Sequence, residues 1–340
     1  MTRIQWKQVP RRAMALGILA LLPWSAGQAG AAEFTLRLSS WGSPTAPQVA
    51  VYVPAFKKAV EEASKGRIEV QAFPAGTLVK EQDVPSAIQS RVVDISLSTI
   101  GAWASVSPAA ALINSVAFRP TEANYLQTIG SGTPLFKALD DSLRQRGVVL
   151  LSALDNGPPM IVSKAKIASP ADLKGNAVRV FDKGSAQIID TLGGAPSTMP
   201  VNEVYSALQH GTVQAAIGGI QGIAGLKEYE VAKYVLDGNG VWGVGTTLYV
   251  MNAAALKGLP ADLQQVVVRA GASAEKTANE AIFAFFAKAR ETLRDHGMEM
   301  TVLQPGTPDY ATFAKALEPL LKRQEEKVPA ELRKLVAARH

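Results

Sequence analysis

Cysteine is absent from the 340 residues of this chain, and histidine occurs only three times. Without cysteine there is no disulfide, no thiol nucleophile and no lipid anchor attached at a cysteine. His210 lies at a helix end, His296 in a charged stretch and His340 at the last position, and none of these settings is typical of a catalytic triad or a metal site. The motifs H-E-x-x-H and G-x-S-x-G are missing as well. We therefore assign no catalytic residue, no metal ligand and no cofactor.

One stretch of the chain matches the glycine-rich pattern of a nucleotide-binding loop. Residues 238–243 fit the pattern G-x-G-x-x-G of dinucleotide-binding loops. In those loops a helix follows the glycines, whereas here the strand-like stretch Thr246–Met251 comes next. This context argues against a dinucleotide site.

Long apolar runs are also missing. The run from residue 13 to residue 22 has ten residues, whereas a helix that spans a bilayer needs about 20. Four basic residues and no acidic residue precede the run, and small residues are abundant from residue 23 to residue 32. Basic, then apolar, then small is the order of a secretory signal, so we predict a cleaved export signal over residues 1–32. A membrane anchor is the alternative, which the shortness of the run disfavours.

The charge of the chain gives little information about partners. The net charge is +6, and the signal supplies +4 of it, so the remainder carries about +2. A charge this small gives no reason to expect nucleic acid or an anionic membrane as a partner. The 308 residues after the signal suffice for one large domain or two medium ones.

Residues 83–100 and 203–220 resemble each other at an offset of 120 positions, with six of eighteen aligned residues identical. Each copy indicates an acid at the start of a helix, an apolar-rich helix and then a buried parallel strand. A repeated helix–strand unit predicts two similar α/β lobes, with chance similarity as the alternative. Because ligands bind outside the carboxyl ends of strands in open parallel sheets, we expect a cleft between the lobes.

The rest of the chain alternates in the same α/β manner. Strand patterns occur at residues 34–39, 67–73, 147–153, 176–181 and 246–251. Helical spacing is found over Pro47–Ala63 and over Tyr310–Glu326. Residues 260–298 predict a helix roughly 50 Å long, with a break at Gly271 as the alternative. A helix of that length should lie across both lobes.

Three segments carry a family resemblance: residues 55–101, 169–219 and 250–267. The most specific stretch contains D-L-K-G-x-x-x-R-V, followed by M-P-x-x-E-V-Y-x-A-L-Q-x-G. These segments resemble the extracytoplasmic solute-binding subunits of tripartite ATP-independent periplasmic (TRAP) transporters of the DctP type. The resemblance implies a two-lobed, periplasmic-binding-protein-like α/β fold with a hinge and a long helix that bridges both lobes. It also implies a periplasmic protein that captures a small organic carboxylate and delivers it to a TRAP permease.

The resemblance assigns the central binding role to the arginine of the D-L-K-G-x-x-x-R-V strand, which is Arg179 here. A planar guanidinium offers two parallel N–H donors that match the two oxygens of a carboxylate. A strand arginine in a surface ion pair is the alternative for this residue.

The other candidate site residues lie at strand or helix ends. Strand ends form the edges of the expected cleft, and glycine there allows close approach of a ligand. Trp41 follows the first strand and Glu81 begins a helix, and each has an alternative structural role, in packing or at the helix terminus. The remaining candidates end the two repeated strands or flank Arg179: Thr99, Gly101, Gly218, Gly219, Phe181 and Val201.

Two departures from the family pattern bear on the ligand. Many relatives carry a second arginine where this chain has residues 156–160, and a polar run where it has residues 214–218. An unpaired polar group on the ligand costs about 1 to 3 kcal/mol, so a monocarboxylate with an apolar or aromatic body is favoured over a dicarboxylate or a sialic acid. Some binding proteins of this type hold a cation beside the carboxylate, and no sequence spacing reveals one.

We place the first lobe at residues 33–155 plus about 246–283, and the second at residues 156–245 plus about 284–340. The chain should cross between them near Leu154–Pro158 and Val244–Leu248, where a hinge is expected. Two other functions stay open at this point. One is a chemosensory receptor for the same solute, and the other is a secreted hydrolase or lyase on the same fold.

Overall fold

Residues 32–42 and 44–337 of the chain are described by a computed structural model. The predicted export signal, residues 1–32, lies outside these residues except for Ala32. None of the described helices is long and apolar enough to cross a membrane.

Strands and helices alternate along the described residues. The strands are β1 (Phe34–Ser39), β2 (Ile68–Phe73), β3 (Ile95–Thr99), β4 (Val148–Gly157), β5 (Met160–Ser163), β6 (Ala177–Val180), β7 (Ala195–Thr198), β8 (Ala215–Gly218), β9 (Tyr234–Asp237), β10 (Gly245–Asn252) and β11 (Glu299–Val302). The helices are α1 (Pro47–Ala50), α2 (Tyr52–Ala63), α3 (Val84–Gln89), α4 (Pro108–Ile113), α5 (Tyr125–Ile129), α6 (Pro134–Arg144), α7 (Lys183–Thr191), α8 (Val204–His210), α9 (Ile220–Gly225), α10 (Ala253–Lys257), α11 (Ala261–Asp295), α12 (Pro308–Glu325) and α13 (Ala330–Ala337).

The strands form two sheets, each at the centre of one lobe. The sheet of the first lobe has the order β2-β1-β3-β10-β4, and the sheet of the second has the order β11-β9-β5-β8-β6-β7. In the first, β1 is parallel to β2 and β3, while β10 is antiparallel to β3. In the second, β6 is parallel to β7 and β8, while β5 is antiparallel to β8. The predicted two-lobed α/β fold is therefore confirmed.

The internal repeat extends beyond the segments that show it in the sequence. The strand orders β2-β1-β3-β10 and β7-β6-β8-β5 match in position and in direction. Helix α3 with β3 corresponds to α8 with β8, at the offset of 120 residues found in the sequence. Because the parallel strands of each lobe end at one edge of their sheet, the residues after β3, β6 and β8 are placed to form a site.

Buried apolar side chains form three clusters. One includes residues of both sheets and of α11, such as Leu38, Met160 and Phe286. A second cluster lies within the first lobe around α3, α4 and α6. A third lies mainly in the second lobe, includes Val116 of the first, and joins β6 and β8 to α12 through Val178, Ile217 and Phe313. The shared cluster connects the two lobes through the long helix.

Helix α11 is unbroken over 35 residues, about 52 Å at ~1.5 Å per residue. It packs against α2 and β4 of the first lobe and against α9 of the second. Gly271 does not interrupt it. A side chain at this position would collide with the neighbouring strand, since a Cβ atom would lie 2.8 Å from the carbonyl oxygen of Leu151. The glycine thus permits close approach of the helix to β4.

Polar side chains of α11 form hydrogen bonds with β4 and with the loop residue Ser131. The Glu275 carboxylate accepts hydrogen bonds from the backbone N–H groups of Ala153 and Ser131, each at 2.7 Å. The Asn279 side chain accepts a bond of 2.8 Å from the N–H of Asp155. Both α11 residues are almost fully buried, so these bonds supply partners for backbone groups that no water reaches.

One predicted element differs from the structure. The helix expected over residues 47–63 is two helices, α1 and α2, separated at Val51. Pro54 has no N–H group to donate to the carbonyl of Ala50, four residues earlier, so the hydrogen-bond ladder is interrupted at this point.

The chain passes from β4 into β5 across residues 158–159, and from β9 into β10 across residues 238–244. Near the C-terminus, α12 packs against α7 of the second lobe and also against α4 of the first. Helix α13 packs against α4 and α6. The residue boundaries given for the two lobes stay a prediction.

Candidate ligand-binding site

Arg179 lies on β6, in the interior of the second sheet, and only 4% of it is exposed. Its Nε donates a hydrogen bond of 3.0 Å to the carbonyl of Met199, and its Nη1 donates one of 3.3 Å to the carbonyl of Ile217. Nη2 donates to none of the described residues. Two carbonyl groups therefore fix the plane of the guanidinium, and the edge formed by Nη1 and Nη2 retains donors for a further acceptor.

Three carboxylates act on this guanidinium. Burial lowers the pKa of Arg179, and the negative charges of Glu228, Glu81 and Asp182 raise it again. An arginine starts from so high a pKa that it remains charged under such a shift. The centre of the site is thus a permanent cation with little solvent around it.

Two of these acids bring the lobes together. Glu81 begins a short 3-10 turn of the first lobe, Glu81–Asp83, just after Lys80. Although Glu81 as a residue is exposed, desolvation of its carboxyl group raises its pKa, and the charge of Asp182 raises it further. A hydrogen bond from Thr99 and the charge of Arg179 act in the opposite direction. Glu81 and Thr99 of the first lobe therefore face Arg179 and Asp182 of the second.

The lobes approach each other closely at Gly101. A Cβ atom at this position would lie 2.8 Å from Oδ2 of Asp182 and 3.3 Å from the side-chain nitrogen of Asn114. A side chain larger than glycine would displace the side chains of Asp182 and Asn114. Gly218 has a similar place beside the guanidinium, because a Cβ there would lie 3.6 Å from Nη1 of Arg179.

Two of the predicted residues supply apolar surface near the guanidinium. The ring of Phe181 lies 5.9 Å from Cζ of Arg179, in a cation–π contact. Phe181 is 45% exposed and Val201 is 47% exposed. Exposed apolar side chains beside a buried cation suit a ligand that has one charged group and a carbon body.

Two further candidates are not joined to Arg179. Trp41 is half-buried and packs against two of the apolar clusters, with its indole N–H buried and without a partner among the described residues. Neither a hydrogen bond nor a cation–π contact connects it to Arg179. Gly219 lies near the crossing between the lobes, where its Cβ would meet the side-chain oxygen of Gln221 at 2.6 Å and the carbonyl of Asn156 at 3.4 Å.

Two acids of the site, Asp182 and Glu228, were missed by the sequence interpretation. Asp182 could have been found from its place in the chain. It forms a capping box with Ser185 at the start of α7, two residues after β6 ends, and residues that follow a strand in this way lie at the edge of the sheet where the site is expected. Glu228 lies in the charged stretch Lys227–Glu230, which is typical of an exposed turn. No local pattern distinguishes this one buried acid from its exposed neighbours.

Among residues 32–42 and 44–337, no group of three or more histidine or acidic side chains is arranged to hold a metal ion.

Comparison with known proteins gives a family and a fold. Residues 39–327 match the family DctP, described as bacterial extracellular solute-binding protein, family 7. Protein y4mM of Sinorhizobium fredii is 28% identical over 243 residues, which are 71% of this chain and 44% of that protein. The 2,3-diketo-L-gulonate-binding periplasmic protein YiaO of Escherichia coli is 26% identical over 248 residues, which are 72% of this chain and 74% of YiaO.

Two solved structures have the same fold. A TRAP periplasmic solute-binding protein from Roseobacter denitrificans with bound β-D-glucuronate superposes with a TM-score of 0.81 at 21% identity, covering 90% of this chain and all of that one. Another from Sulfurospirillum deleyianum with bound succinate gives a TM-score of 0.77 at 25% identity, covering 91% of this chain and all of that one. The chain therefore belongs to the DctP family of solute-binding proteins, as the residues around Arg179 indicated.

Proposed function

We propose that this protein is the periplasmic receptor of a TRAP transporter, which captures a small organic carboxylate between its lobes and delivers it to the membrane permease. The observation that carries the proposal is the Arg179 guanidinium. It is 4% exposed, held by two backbone carbonyls, and left with free donors at one edge. Family membership and the carboxylates named for YiaO and the two solved structures support the same role.

The proposed ligand is a monocarboxylate with an apolar or aromatic body. Among the described residues of the second lobe Arg179 is the single buried arginine, and the strand beside it is the apolar Ala215–Gly218. Phe181 and Val201 would pack on the carbon body. A second carboxylate would find no partner of this kind, and an unsatisfied group costs about 1 to 3 kcal/mol.

The other candidate residues take supporting roles in this proposal. Glu81 and Thr99 would supply polar contacts from the first lobe, and Gly101 and Gly218 would allow the ligand close to the backbone. Trp41 and Gly219 would lie at the edge of the cleft rather than against the anchored carboxylate.

A thermal-shift panel tests the ligand class. Monocarboxylates with apolar or aromatic bodies should raise the unfolding temperature, because only the folded protein binds them. Succinate, malate and sialic acid should raise it little. Strong stabilisation by succinate or malate, with the monocarboxylates inactive, contradicts the proposed ligand class.

Arginine variants test the anchor itself. Arg179→Ala should abolish the shift that the best acid of the panel gives. Arg269→Ala is the matched control, because Arg269 is an exposed arginine of α11 that contacts only Gln265 among the hydrogen bonds of the described residues. Equal shifts in both variants contradict a binding role for Arg179.

The proposal also includes binding without chemical turnover. Bound acid recovered after long incubation should be chemically unchanged, and a new product seen by nuclear magnetic resonance contradicts a pure binding role.

Export to the periplasm is a further part of the proposal. Protein isolated from the periplasm should begin near Ala32 or Glu33 if residues 1–32 form a cleaved signal. N-terminal sequencing measures this directly.

A further inference from the structure

Four charged groups act on one another in the cleft, and only one of them is a cation. The guanidinium of Arg179 interacts with the carboxylates of Glu81, Asp182 and Glu228. Lys80 and Lys183, the basic residues next to two of these acids in the sequence, are exposed. A ligand that offered only a carboxylate to Arg179 would add a fourth negative charge to this group. Like charges at such close range in a poorly solvated site repel one another.

Glu228 is the most buried of the three acids around Arg179. It is 3% exposed, and among the described residues its carboxyl group accepts no hydrogen bond and takes part in no ion pair. Its neighbours are paired with other groups: Lys227 forms an ion pair with Glu230 at 3.9 Å, and Tyr205 donates to Glu230 at 3.0 Å. The side-chain oxygens of Glu228 are not fully enclosed, so the carboxyl group can accept a hydrogen bond from a ligand.

Gly222 lies between Glu228 and Val201, one of the residues proposed to contact the ligand. A Cβ atom on Gly222 would lie 3.9 Å from Oε1 of Glu228 and 3.5 Å from the side chain of Val201. Val201 is one of the exposed apolar residues of the cleft, so the carboxyl group of Glu228 lies at the same wall. Burial raises the pKa of Glu228 to about 7, and the charge of Arg179 opposes that rise. The two opposite charges thus sense each other without forming an ion pair.

An arginine and a glutamate whose charges interact without forming an ion pair suit a molecule that bears both opposite charges. We propose that Glu228 determines specificity by accepting a hydrogen bond from a cationic or N–H nitrogen on the ligand whose carboxylate Arg179 holds. The ligand is then an amino or imino acid, with a largely apolar body that packs on Phe181 and Val201. This inference rests on the proposed function and narrows its monocarboxylate to a nitrogen-bearing one.

Matched pairs of acids test the inference by calorimetry on the full mature chain. The pairs are L-proline with cyclopentanecarboxylate and L-phenylalanine with 3-phenylpropanoate, which differ only in the nitrogen. The nitrogen-bearing member should bind about 10- to 100-fold more tightly, the range for a hydrogen bond to a charged group. Glu228→Gln should remove most of this preference, by weakening binding of the nitrogen-bearing acid and by relieving the repulsion of the nitrogen-free acid.

Glu230→Gln is the matched control, because Glu230 is an exposed acid two positions away. It should keep the full preference for the nitrogen-bearing acid. Circular dichroism verifies that each variant is folded. An equal preference in Glu228→Gln and in the parent protein contradicts the inference, and so does tighter binding of the nitrogen-free acids by the parent.

A proton could neutralise Glu228 in place of a ligand nitrogen. In that case a nitrogen-free acid would bind with uptake of a proton, which calorimetry in buffers of different ionisation enthalpy measures. Proton uptake with no preference for nitrogen overturns the inference and leaves the proposed function intact. Undiminished binding of the nitrogen-bearing acid by Glu228→Gln, together with loss of binding in Arg179→Ala, has the same meaning. A panel in which no acid binds contradicts the inference and the proposed function together.

Discussion

At the scale of single residues, Arg179 illustrates how a strand position becomes a binding group. Its neighbours Val178 and Val180 are fully buried, and the alternation of the strand turns the arginine to the opposite face. There it meets the carbonyls of Met199 and Ile217, at the ends of the two adjacent segments. The guanidinium is therefore oriented before any ligand arrives, which lowers the entropic cost of binding.

The geometry of Arg179 predicts that charge alone is insufficient. Arg179→Ala should weaken binding of the acid by about 2 to 5 kcal/mol, on the order of 30-fold to several thousand-fold. Arg179→Lys should recover only part of this loss, because an ammonium group lacks the two parallel donors. Calorimetry on both variants measures the difference. A lysine variant with the affinity of the parent would show that the fork geometry has no role.

The buried acid Glu228 predicts a pH dependence of stability in the ligand-free protein. In the unfolded chain its pKa is near 4.5, and in the folded protein it is raised to about 7. Between these values the folded state binds more protons than the unfolded state, so the free energy of unfolding falls as the pH rises. Glu228→Gln removes this contribution, and no hydrogen bond to a described residue is lost with the carboxylate.

The expected result is a difference between variant and parent that depends on pH. At pH 8 Glu228→Gln should melt about 2 to 6 °C higher than the parent, and at pH 5 the two should melt together. Asp155 and Glu275 also have pKa values raised to about 7 by burial, so both proteins should lose stability over this range. Only the difference reports Glu228, and a constant difference at all pH values would contradict the assignment.

Arg179 could be found from the sequence and Glu228 could not, for a physical reason. Arg179 was found because the contiguous motif from Asp172 to Val180 resembles that of a known family, whereas its local pattern alone also fits a strand arginine in a surface ion pair. Glu228 becomes special only when the short helix α9 folds over it and Val201 comes alongside. Contacts between distant segments decide its burial, and the local charge pattern indicates the opposite.

At the scale of elements, α11 was predicted well because its signal is local and long. Helix-forming residues continue on both sides of Gly271, so one weak position did not break the helix. Strands β7 and β11 had no comparable signal, since β7 is largely exposed and β11 has no buried residue. Pairing with β6 and β9 at the sheet edges produces them, and such pairing is invisible in a local pattern.

The close approach at Gly271 gives a test of this packing. Gly271→Ala should destabilise the protein by about 1 to 3 kcal/mol, because the added methyl group would overlap the carbonyl of Leu151. Helix propensity alone predicts the opposite, a gain of up to about 1 kcal/mol. Thr277→Ala, at an exposed position of the same helix, should be neutral or slightly stabilising. Urea unfolding measures both, and a stabilised Gly271→Ala variant would rule out the steric explanation.

At the scale of the whole molecule, the two matching sheets are connected by crossing strands and by a polar cluster. Gln48 of the first lobe donates to the carbonyl of Asp155 at 3.2 Å and to the side chain of Asn156 at 3.1 Å. Gln221 of the second lobe donates to the same Asn156 from the other side, at 3.4 Å. Side chains of both lobes thus converge where β4 leaves the first sheet. Rotation of the lobes could occur here with exchange of these few hydrogen bonds.

The contact between Asp182 and Gly101 predicts what a ligand does to the whole molecule. These residues belong to opposite lobes and are close to each other, and the charge of Asp182 acts on the buried guanidinium. Without a ligand the three acids around Arg179 should favour separation of the lobes, and a bound ligand that balances their charge should favour closure.

Small-angle X-ray scattering on the mature chain tests this directly. A compact chain of this size has a radius of gyration of roughly 19 Å, and the ligand-free protein should exceed the ligand-bound protein. The acid that gives the largest thermal shift should reduce the radius at saturation, because the lobes rotate toward each other about the crossing segments. Arg179→Ala at the same acid concentration is the control and should keep the larger radius. An unchanged radius in the parent protein under saturating ligand would contradict hinge closure, since binding would then occur in a cleft of fixed width.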